Sequence, residues 1–212
     1  MRDWVEWHRG YDDPSSALSG RLEWVKLRLG EALDRCPAGP VRLLSLCAGQ
    51  GRDVIGVLPG HGRRDDVRAL LVEFDETNAE FARRSAAEAG LKRVEVRQAD
   101  AGDVANFADA LPANVLLLCG IFGNVSDTDI ERTVGATPAL CATGATVIWT
   151  RHRRPPNLTP RIREWFAASG FAEVAFDALD TGPLIAVGTH RRVESLEAAI
   201  PAGPLFTFRS DQ

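Results

Sequence analysis

The first regular pattern in the chain is an apolar stripe with helical spacing near the N-terminus. Its members recur every three or four positions: Leu18, Leu22, Val25, Leu29 and Leu33. Asp13 ahead of the stripe is a suitable N-cap, and Pro14 suits the first helical position. The stretch CPAGP ends the pattern. These features predict one amphipathic helix, preceded by a short aromatic segment.

From Val41 onwards, short apolar runs alternate with segments of helical character. The predicted strands are VRLLSL, VRALLVEF, RVEVRQ, NVLLLC and ATVIWT. Helices are predicted to start at GRDVIGVL, at TNAEFARRSAAEAG with a Thr77–Glu80 capping box, over Asp103 to Ala110, at SDTDIERTVGATPALC and at TPRIREWFAASG. This alternation implies right-handed crossovers and a parallel sheet that is covered on both faces.

The last two apolar runs, FAEVAFDAL and PLIAVGTH, are separated only by DTGP. A connection this short cannot carry a parallel crossover, so we expect an antiparallel hairpin. The predicted fold class is α/β, a doubly wound and mostly parallel seven-stranded sheet with a C-terminal antiparallel hairpin and helices on both faces. We divide it into residues 1–40 (N-terminal segment and helix, a substrate lid), 41–190 (core) and 191–212 (a tail packed on the same domain).

Composition narrows the class of protein. The 212 residues include 45% hydrophobic and 25% charged ones, as in ordinary globular domains, and the net charge of −4 disfavours nucleic acid and anionic membranes as partners. The N-terminal stretch is too polar for a secretory signal, and no apolar run is long enough to span a bilayer. Four cysteines without CxxC spacing indicate reduced thiols rather than disulfides or zinc ligands. We therefore expect a cytoplasmic protein without a metal.

The stretch LLSLCAGQGRD joins the first predicted strand to the next helix. Gly49 and Gly51 allow the backbone to approach a ligand closely, and Glu73 at the end of the second strand is placed to accept ribose hydroxyls. These residues predict a nucleoside-containing cofactor, either NAD(P) or S-adenosylmethionine. Val54 stands where the dinucleotide fingerprint has its third glycine, which weakens the prediction that the cofactor is NAD(P).

The same stretch resembles motif I of the class I S-adenosylmethionine-dependent methyltransferases. Gly49, Gly51, Arg52 and Asp53 match that motif, whereas Ser45 replaces its usual acid and Cys47 its first glycine. The resemblance continues through LVEFDETNAEFARRSAAEAGL, RQADAGD, VLLLCGIFGNV and the final hairpin, so it covers roughly residues 41–190. It implies S-adenosylmethionine as cofactor and S-adenosylhomocysteine as product.

The resemblance also assigns cofactor-binding positions. Glu73 would hold the ribose, with Asp75 as a competitor or a helix cap, and Asp100 would contact adenine or cap a helix. Cys119 would face the methyl group. The full predicted set is Cys47, Ala48, Gly49, Gly51, Arg52, Asp53, Glu73, Phe74, Asp100, Ala101 and Cys119.

On the acceptor side, methyl transfer to an O, N, S or C atom of a small molecule is predicted. The loop GIFGN lacks the Asn/Asp-Pro-Pro-aromatic motif of enzymes that methylate amino groups of nucleic acids. His152 is the candidate general base, and the candidate substrate-binding residues are His8, Tyr11, Asn124 and Arg151. Two alternatives stay open: an NAD-dependent oxidoreductase, and a non-catalytic protein that binds S-adenosylmethionine or S-adenosylhomocysteine. We expect a monomer or a homodimer.

Overall fold

The structure is a computed structural model that describes residues 11, 13, 16–178, 184–196 and 198–209. A seven-stranded sheet has the strand order β3-β2-β1-β4-β5-β7-β6. Strands β1 (Val41–Leu46), β2 (Val67–Glu73), β3 (Val94–Gln98), β4 (Ala113–Leu118) and β5 (Cys141–His152) pair in parallel. β7 (Ile185–Arg192) is antiparallel to both β5 and β6 (Phe171–Ala178). The predicted fold class, including the final hairpin, is confirmed.

Helix α1 (Ala17–Arg35) is the amphipathic helix that the first apolar stripe predicts. Its N-cap is Ser16, whose hydroxyl accepts from the Ser19 N–H at 3.1 Å, so the predicted cap at Asp13 is wrong. Buried Val25, Leu29 and Leu33 hold α1 against the sheet. Arg28 on α1 also forms a bidentate ion pair with Asp177 of β6, at 2.6 and 2.7 Å. These contacts anchor α1 to the sheet and to β6.

The remaining helices are α2 (Val54–Val57), α3 (Glu76–Glu88), α4 (Asp127–Leu140) and α5 (Thr159–Ala168). α2 is a single turn followed by a 3₁₀ turn at Leu58–Gly60, because Pro59 and Gly60 stop it. α3 is capped by Asp75, which accepts from Asn78 N–H at 2.9 Å; the predicted Thr77–Glu80 capping box is therefore wrong.

Between β3 and β4, the structure has two 3₁₀ turns, Val104–Asn106 and Ala108–Ala110, where a helix was predicted. Elsewhere, both faces of the sheet are covered. On one face of the sheet, the even-numbered residues of β1 and β2, such as Leu44 and Leu70, pack against α4 and α5. The other packs Leu43, Leu71 and Ile148 against α1. Trp149 lies fully buried in the first cluster, between Phe122, Phe166 and Phe176.

The C-terminal tail returns to the carboxyl ends of the strands. Leu205 N–H donates to the Gly102 carbonyl at 2.8 Å, and Arg209 N–H donates to the Asn124 carbonyl at 3.0 Å. Leu205 and Phe206 are buried in the first core cluster. The tail thus links the loop after β3 to the loop after β4.

Candidate active site

The loop after β1 makes a tight turn in which every second residue, three in all, has a left-handed backbone conformation. Cys47, Gly49 and Gly51 have φ values of 55°, 56° and 66°. The Gly51 N–H closes the turn by donating to the Ala48 carbonyl at 2.9 Å. Cys47 therefore keeps the backbone conformation of the glycine that it replaces, at a cost of about 1–2 kcal/mol for a residue with a Cβ.

Gly51 is needed for a reason that the sequence did not reveal. A Cβ at this position would lie 2.7 Å from Leu71 Cδ2 and 2.9 Å from Ile55 Cδ1. The absent side chain therefore makes room for the protein's own core, and its positive φ adds a second constraint.

Glu73 is fixed at the end of β2, directly beside this loop. Its Oε2 accepts from the Gly49 N–H at 2.7 Å and its Oε1 accepts from the Asp75 N–H at 2.9 Å. The side chain is 9% exposed, and burial raises the pKa of the carboxyl group above its ordinary value. Each oxygen keeps a lone pair, so the carboxylate can still accept two hydroxyl groups. Asp75 acts as the cap of α3, which leaves Glu73 as the acid facing the loop.

The residues after β2 and β3 form the other wall of this site. Phe74 is 75% exposed although it is a large apolar ring. Asp100 is exposed and accepts from Gly102 N–H at 2.8 Å, whereas Ala101 is buried. The charges of Glu73 and Asp100 both act on the Cys47 thiol and add to the rise in its pKa, which is caused chiefly by burial. The exposed ring beside a buried carboxylate fits a nucleoside: a base can cover the ring while the acid binds the ribose.

A second group of polar side chains lies where β1 and β4 end. Asp53 is 8% exposed and accepts from the Val54 N–H at 2.7 Å; burial raises its pKa. Arg21 of α1 donates to the Tyr11 hydroxyl, and its charge lowers the pKa of Asp53. Burial is the main cause that raises the pKa of Cys119, and Asp53 adds to it. Cys119 therefore stays a thiol, within reach of the charges of Asp53 and Arg21. Arg21 was not predicted, since its position on α1 becomes relevant only when the helix packs.

Arg52 lies in a groove of 740 Å³ between α1 and α3, which Tyr11 also lines. Its Nε donates to Gln50 Oε1 at 2.8 Å, and its guanidinium lies over the rings of Tyr11 and Phe81 at 5.4 and 5.6 Å. Gln50 in turn donates to the buried Asn78 at 3.3 Å. This network connects Gln50 of the glycine loop (residues 47–51) to Arg52 and Asn78, and the sequence did not predict it.

His152 ends β5 and lies against the loop after β4. A Cβ on Gly123 would be 3.6 Å from the His152 ring. Burial lowers the pKa of His152, and the charges of Arg151 and Arg154 lower it further, so the imidazole is neutral at pH 7. Its Nδ1 is buried and has no hydrogen-bond partner among the described residues. A neutral, unpaired ring nitrogen can accept a proton.

Arg151 and Asn124 take places that differ from that of His152. Successive side chains of a strand point to opposite faces, so Arg151 faces α4 while His152 faces α1. Arg151 is 8% exposed and donates to the Phe122 carbonyl. Asn124 donates from its amide to the Gly120 carbonyl at 2.6 Å. Both contacts shape the loop of residues 120–124.

His8, a predicted substrate-binding residue, lies outside the described residues.

Among the residues that are described, no group of three or more His, Cys, Asp or Glu side chains could hold a metal ion, and the four cysteines are free. A membrane-spanning helix, long and apolar enough, is also absent from the described part of the chain.

Solved structures with this architecture include several methyltransferases. A magnesium protoporphyrin IX methyltransferase from Synechocystis PCC 6803 with bound S-adenosylmethionine has a TM-score of 0.68 at 11% identity, with 89% of this chain and 90% of that chain covered. An RNA methyltransferase from Salinibacter ruber in complex with S-adenosylhomocysteine has a TM-score of 0.53 at 22% identity, with 84% and 94% covered.

An O-methyltransferase family protein from Burkholderia thailandensis matches with a TM-score of 0.64 at 18% identity; 84% of this chain is covered, but only 57% of that protein. At these identities the likeness concerns the fold. No curated protein matches the sequence.

A match to the model of a protein family shows which family the chain belongs to. The model of the family Methyltransf_20, described as "Putative methyltransferase", matches residues 21–162. This range contains most of α1, together with the glycine loop, Glu73, Cys119 and His152. The chain belongs to this methyltransferase family and has the Rossmann-like fold of the class I S-adenosylmethionine-dependent methyltransferases.

Proposed function

We propose that this protein transfers the methyl group of S-adenosylmethionine to a nucleophilic atom of a small molecule. The observation that carries the proposal is the Glu73 carboxylate, which is held by the Gly49 and Asp75 amides beside the exposed ring of Phe74. A buried acid with free lone pairs next to an uncovered aromatic ring suits a ribose and its base. The sulfonium of the cofactor supplies an already activated methyl group, so no metal is needed for that purpose.

Asp53 and Arg21 take over the amino-acid end of the cofactor. The usual acid of motif I is replaced by Ser45, which is 1% exposed within β1 and can reach no ligand. Asp53 is buried, and one of its carboxylate oxygens accepts a hydrogen bond from the Val54 N–H. The other oxygen is left for an ammonium group. Arg21 supplies a guanidinium on the same side for a carboxylate. The pair thereby offsets the departure at Ser45.

His152 acts as the general base when the acceptor carries a proton. The imidazole accepts that proton because it is neutral at pH 7. The loop of residues 120–124, fixed by Arg151 and Asn124, forms one side of the acceptor opening, and Tyr11 lies on the other side. Correct alignment of acceptor and methyl group supplies the larger part of the rate enhancement, up to about 7–11 kcal/mol.

The small-molecule acceptor is favoured by the net charge of −4, which gives no general attraction to a phosphate backbone. The Synechocystis relative acts on a porphyrin, and the Salinibacter relative on RNA. The further parts of the proposal are a cytoplasmic location, a monomer or homodimer, and an N-terminal segment that covers the acceptor.

An activity screen with labelled S-adenosylmethionine tests the proposal. The protein is incubated with pools of small metabolites and, separately, with total RNA; formation of S-adenosylhomocysteine is measured and the label is traced. We expect label in a small-molecule product. Label recovered in RNA would refute the acceptor class, and tight S-adenosylhomocysteine binding without transfer to any pool would favour a non-catalytic binder.

The pH profile of the identified reaction tests the role of His152. The pKa of His152 is lowered from 6.5, so kcat/KM should stay level down to pH 6.5 and fall only below it. Arg154→Gln removes one of the charges that lower this pKa and should move the acidic limb to higher pH. An unchanged profile in both His152→Gln and Arg154→Gln would rule out His152 as the base.

A further inference from the structure

A basic groove starts at the amino ends of β1, β2 and β3, the end of the sheet opposite to the glycine loop, and extends along β3 to Arg97, the register partner of Val72. Its volume is 540 Å³, and its cationic lining consists of Arg42, Arg68, Lys92, Arg93 and Arg97. Leu70 and Ala110 contribute apolar surface to the same groove. Arg42 precedes Cys47 by five strand residues, or about 16 Å. The amino-end part of the groove, where Arg42 lies, is therefore distinct from the site proposed for methyl transfer.

Three of these arginines form a row across neighbouring strands. Arg42 of β1 is the register partner of Arg68 of β2. Ala69 pairs with Val94, so Arg93 stands beside Arg68 at the start of β3. All three are exposed, and the strands lie about 4.8 Å apart, so the row spans about 10 Å. Like charges placed directly opposite each other destabilise a sheet.

The charges in this row have no salt-bridge partner in the part of the chain that the structure describes. Among the described residues, no carboxylate lies within 4.0 Å of the side chains of Arg42, Arg68, Lys92 or Arg93. Arg97 differs, since it binds Glu95 at 2.6 Å and Asp109 at 2.8 Å. Four cations thus converge on one concave surface of a protein whose net charge is −4.

The groove is open because of the short crossover between β3 and β4. Its two 3₁₀ turns leave this end of the sheet face without a covering helix. Arg97 holds the turns at the edge by donating to the Asn106 carbonyl at 2.6 Å. The sheet face is therefore uncovered where the arginine row lies, and the groove's walls are fixed.

We propose that the basic groove binds a small anion that carries two or more phosphate groups. Guanidinium groups bind phosphate oxygens in pairs, and strand-borne arginines are held at a fixed spacing. The volume lies in the range of small-ligand pockets. A nucleic acid strand is disfavoured because the row is only about 10 Å long and is bordered by the carboxylates of Glu95 and Asp109.

Calorimetric titration of the full chain with sodium tripolyphosphate at low ionic strength tests this. We expect one binding event per chain, weakened at least about tenfold in Arg68→Gln. Arg84→Gln, which alters an exposed arginine of α3, is the matched control and should bind like the wild type. Neither substitution should change the affinity for S-adenosylhomocysteine, because both lie away from the glycine loop.

Thermal melting provides an independent readout. Without phosphate, Arg68→Gln should melt at a higher temperature than the wild type, because a like-charge contact is relieved. Tripolyphosphate should raise the melting temperature of the wild type by more than it raises that of Arg68→Gln. No binding of tripolyphosphate, or equal binding by wild type and Arg68→Gln, would overturn the proposal. A single-stranded RNA oligonucleotide that binds more tightly than tripolyphosphate, and loses affinity in Arg68→Gln, would overturn it in favour of nucleic acid.

Discussion

Acidification below pH 6.5 should destabilise the fold through His190, a residue far from the glycine loop. The side chain is 1% exposed within β7, and its ring lies 4.5 Å from that of Phe166. Nδ1 accepts from Trp149 Nε1 at 3.2 Å, and Nε2 has no hydrogen-bond partner among the described residues. Burial lowers the pKa of His190 to about 4, although Glu173 at 3.7 Å opposes the shift.

The size and sign of the effect follow from the two pKa values. In the unfolded chain the imidazole titrates near pH 6.5, so between pH 6.5 and 4 the unfolded state binds a proton that the folded state does not. This contribution to stability is complete above pH 6.5 and is lost as the pH falls. The slope is at most about 1.4 kcal/mol per pH unit, and the total is about 3 kcal/mol.

Urea unfolding of the wild type and His190→Gln between pH 7.5 and 4 measures this. The glutamine keeps an acceptor for Trp149 but does not titrate, so the difference in unfolding free energy should shrink by about 3 kcal/mol over this range. Should His190→Gln fail to fold, the imidazole of the wild type can be titrated by NMR. Glu173→Gln should lower its pKa further. A difference that is independent of pH, or an NMR pKa near 6.5, would refute the reasoning.

Three substitutions test the packing around the site by urea unfolding. Cys47→Gly should keep stability within about 1 kcal/mol, because relief of the left-handed backbone offsets the extra freedom of the unfolded chain; a larger loss would show that the thiol, not the backbone, is needed. Gly51→Ala should destabilise by more than about 1 kcal/mol, since its Cβ meets Leu71 at 2.7 Å. Gly102→Ala should displace the tail, because its Cβ would lie 2.5 Å from the Phe206 carbonyl oxygen. Gly62→Ala, with open space around it, is the control, and equal effects at 62 and 102 would contradict this.

The sheet could be predicted because each strand is an apolar run with a recognisable end. The hairpin of β6 and β7 followed from the length of one connection. Helix starts were harder, since a cap requires only a side-chain oxygen near an unpaired amide. Asp13 was predicted as the N-cap of α1, but the structure has Ser16 there, a residue with a suitable side-chain oxygen three positions further on.

The sequence could predict only which residues stand at strand ends. Gly49 follows β1 and Glu73 ends β2, so both were expected at the same end of the sheet, and the structure joins them by a hydrogen bond. Arg21 and the tail at Phe206 approach that edge from distant parts of the chain, and only packing reveals them. The contact of Arg151 with the Phe122 carbonyl was likewise hidden, because a basic run looks the same in a loop and at a strand end.

Binding of S-adenosylhomocysteine to the wild type and Glu73→Gln tests the central claim most directly. Calorimetry should show one site in the wild type and no binding of NAD. Glu73→Gln should weaken binding by about 1.5–3 kcal/mol, roughly ten- to a hundredfold, because a charged acceptor for the ribose is lost. Glu76→Gln, an exposed acid three residues further on, should bind normally. Circular dichroism must show that Glu73→Gln is folded; equal affinity in that folded variant would contradict the account.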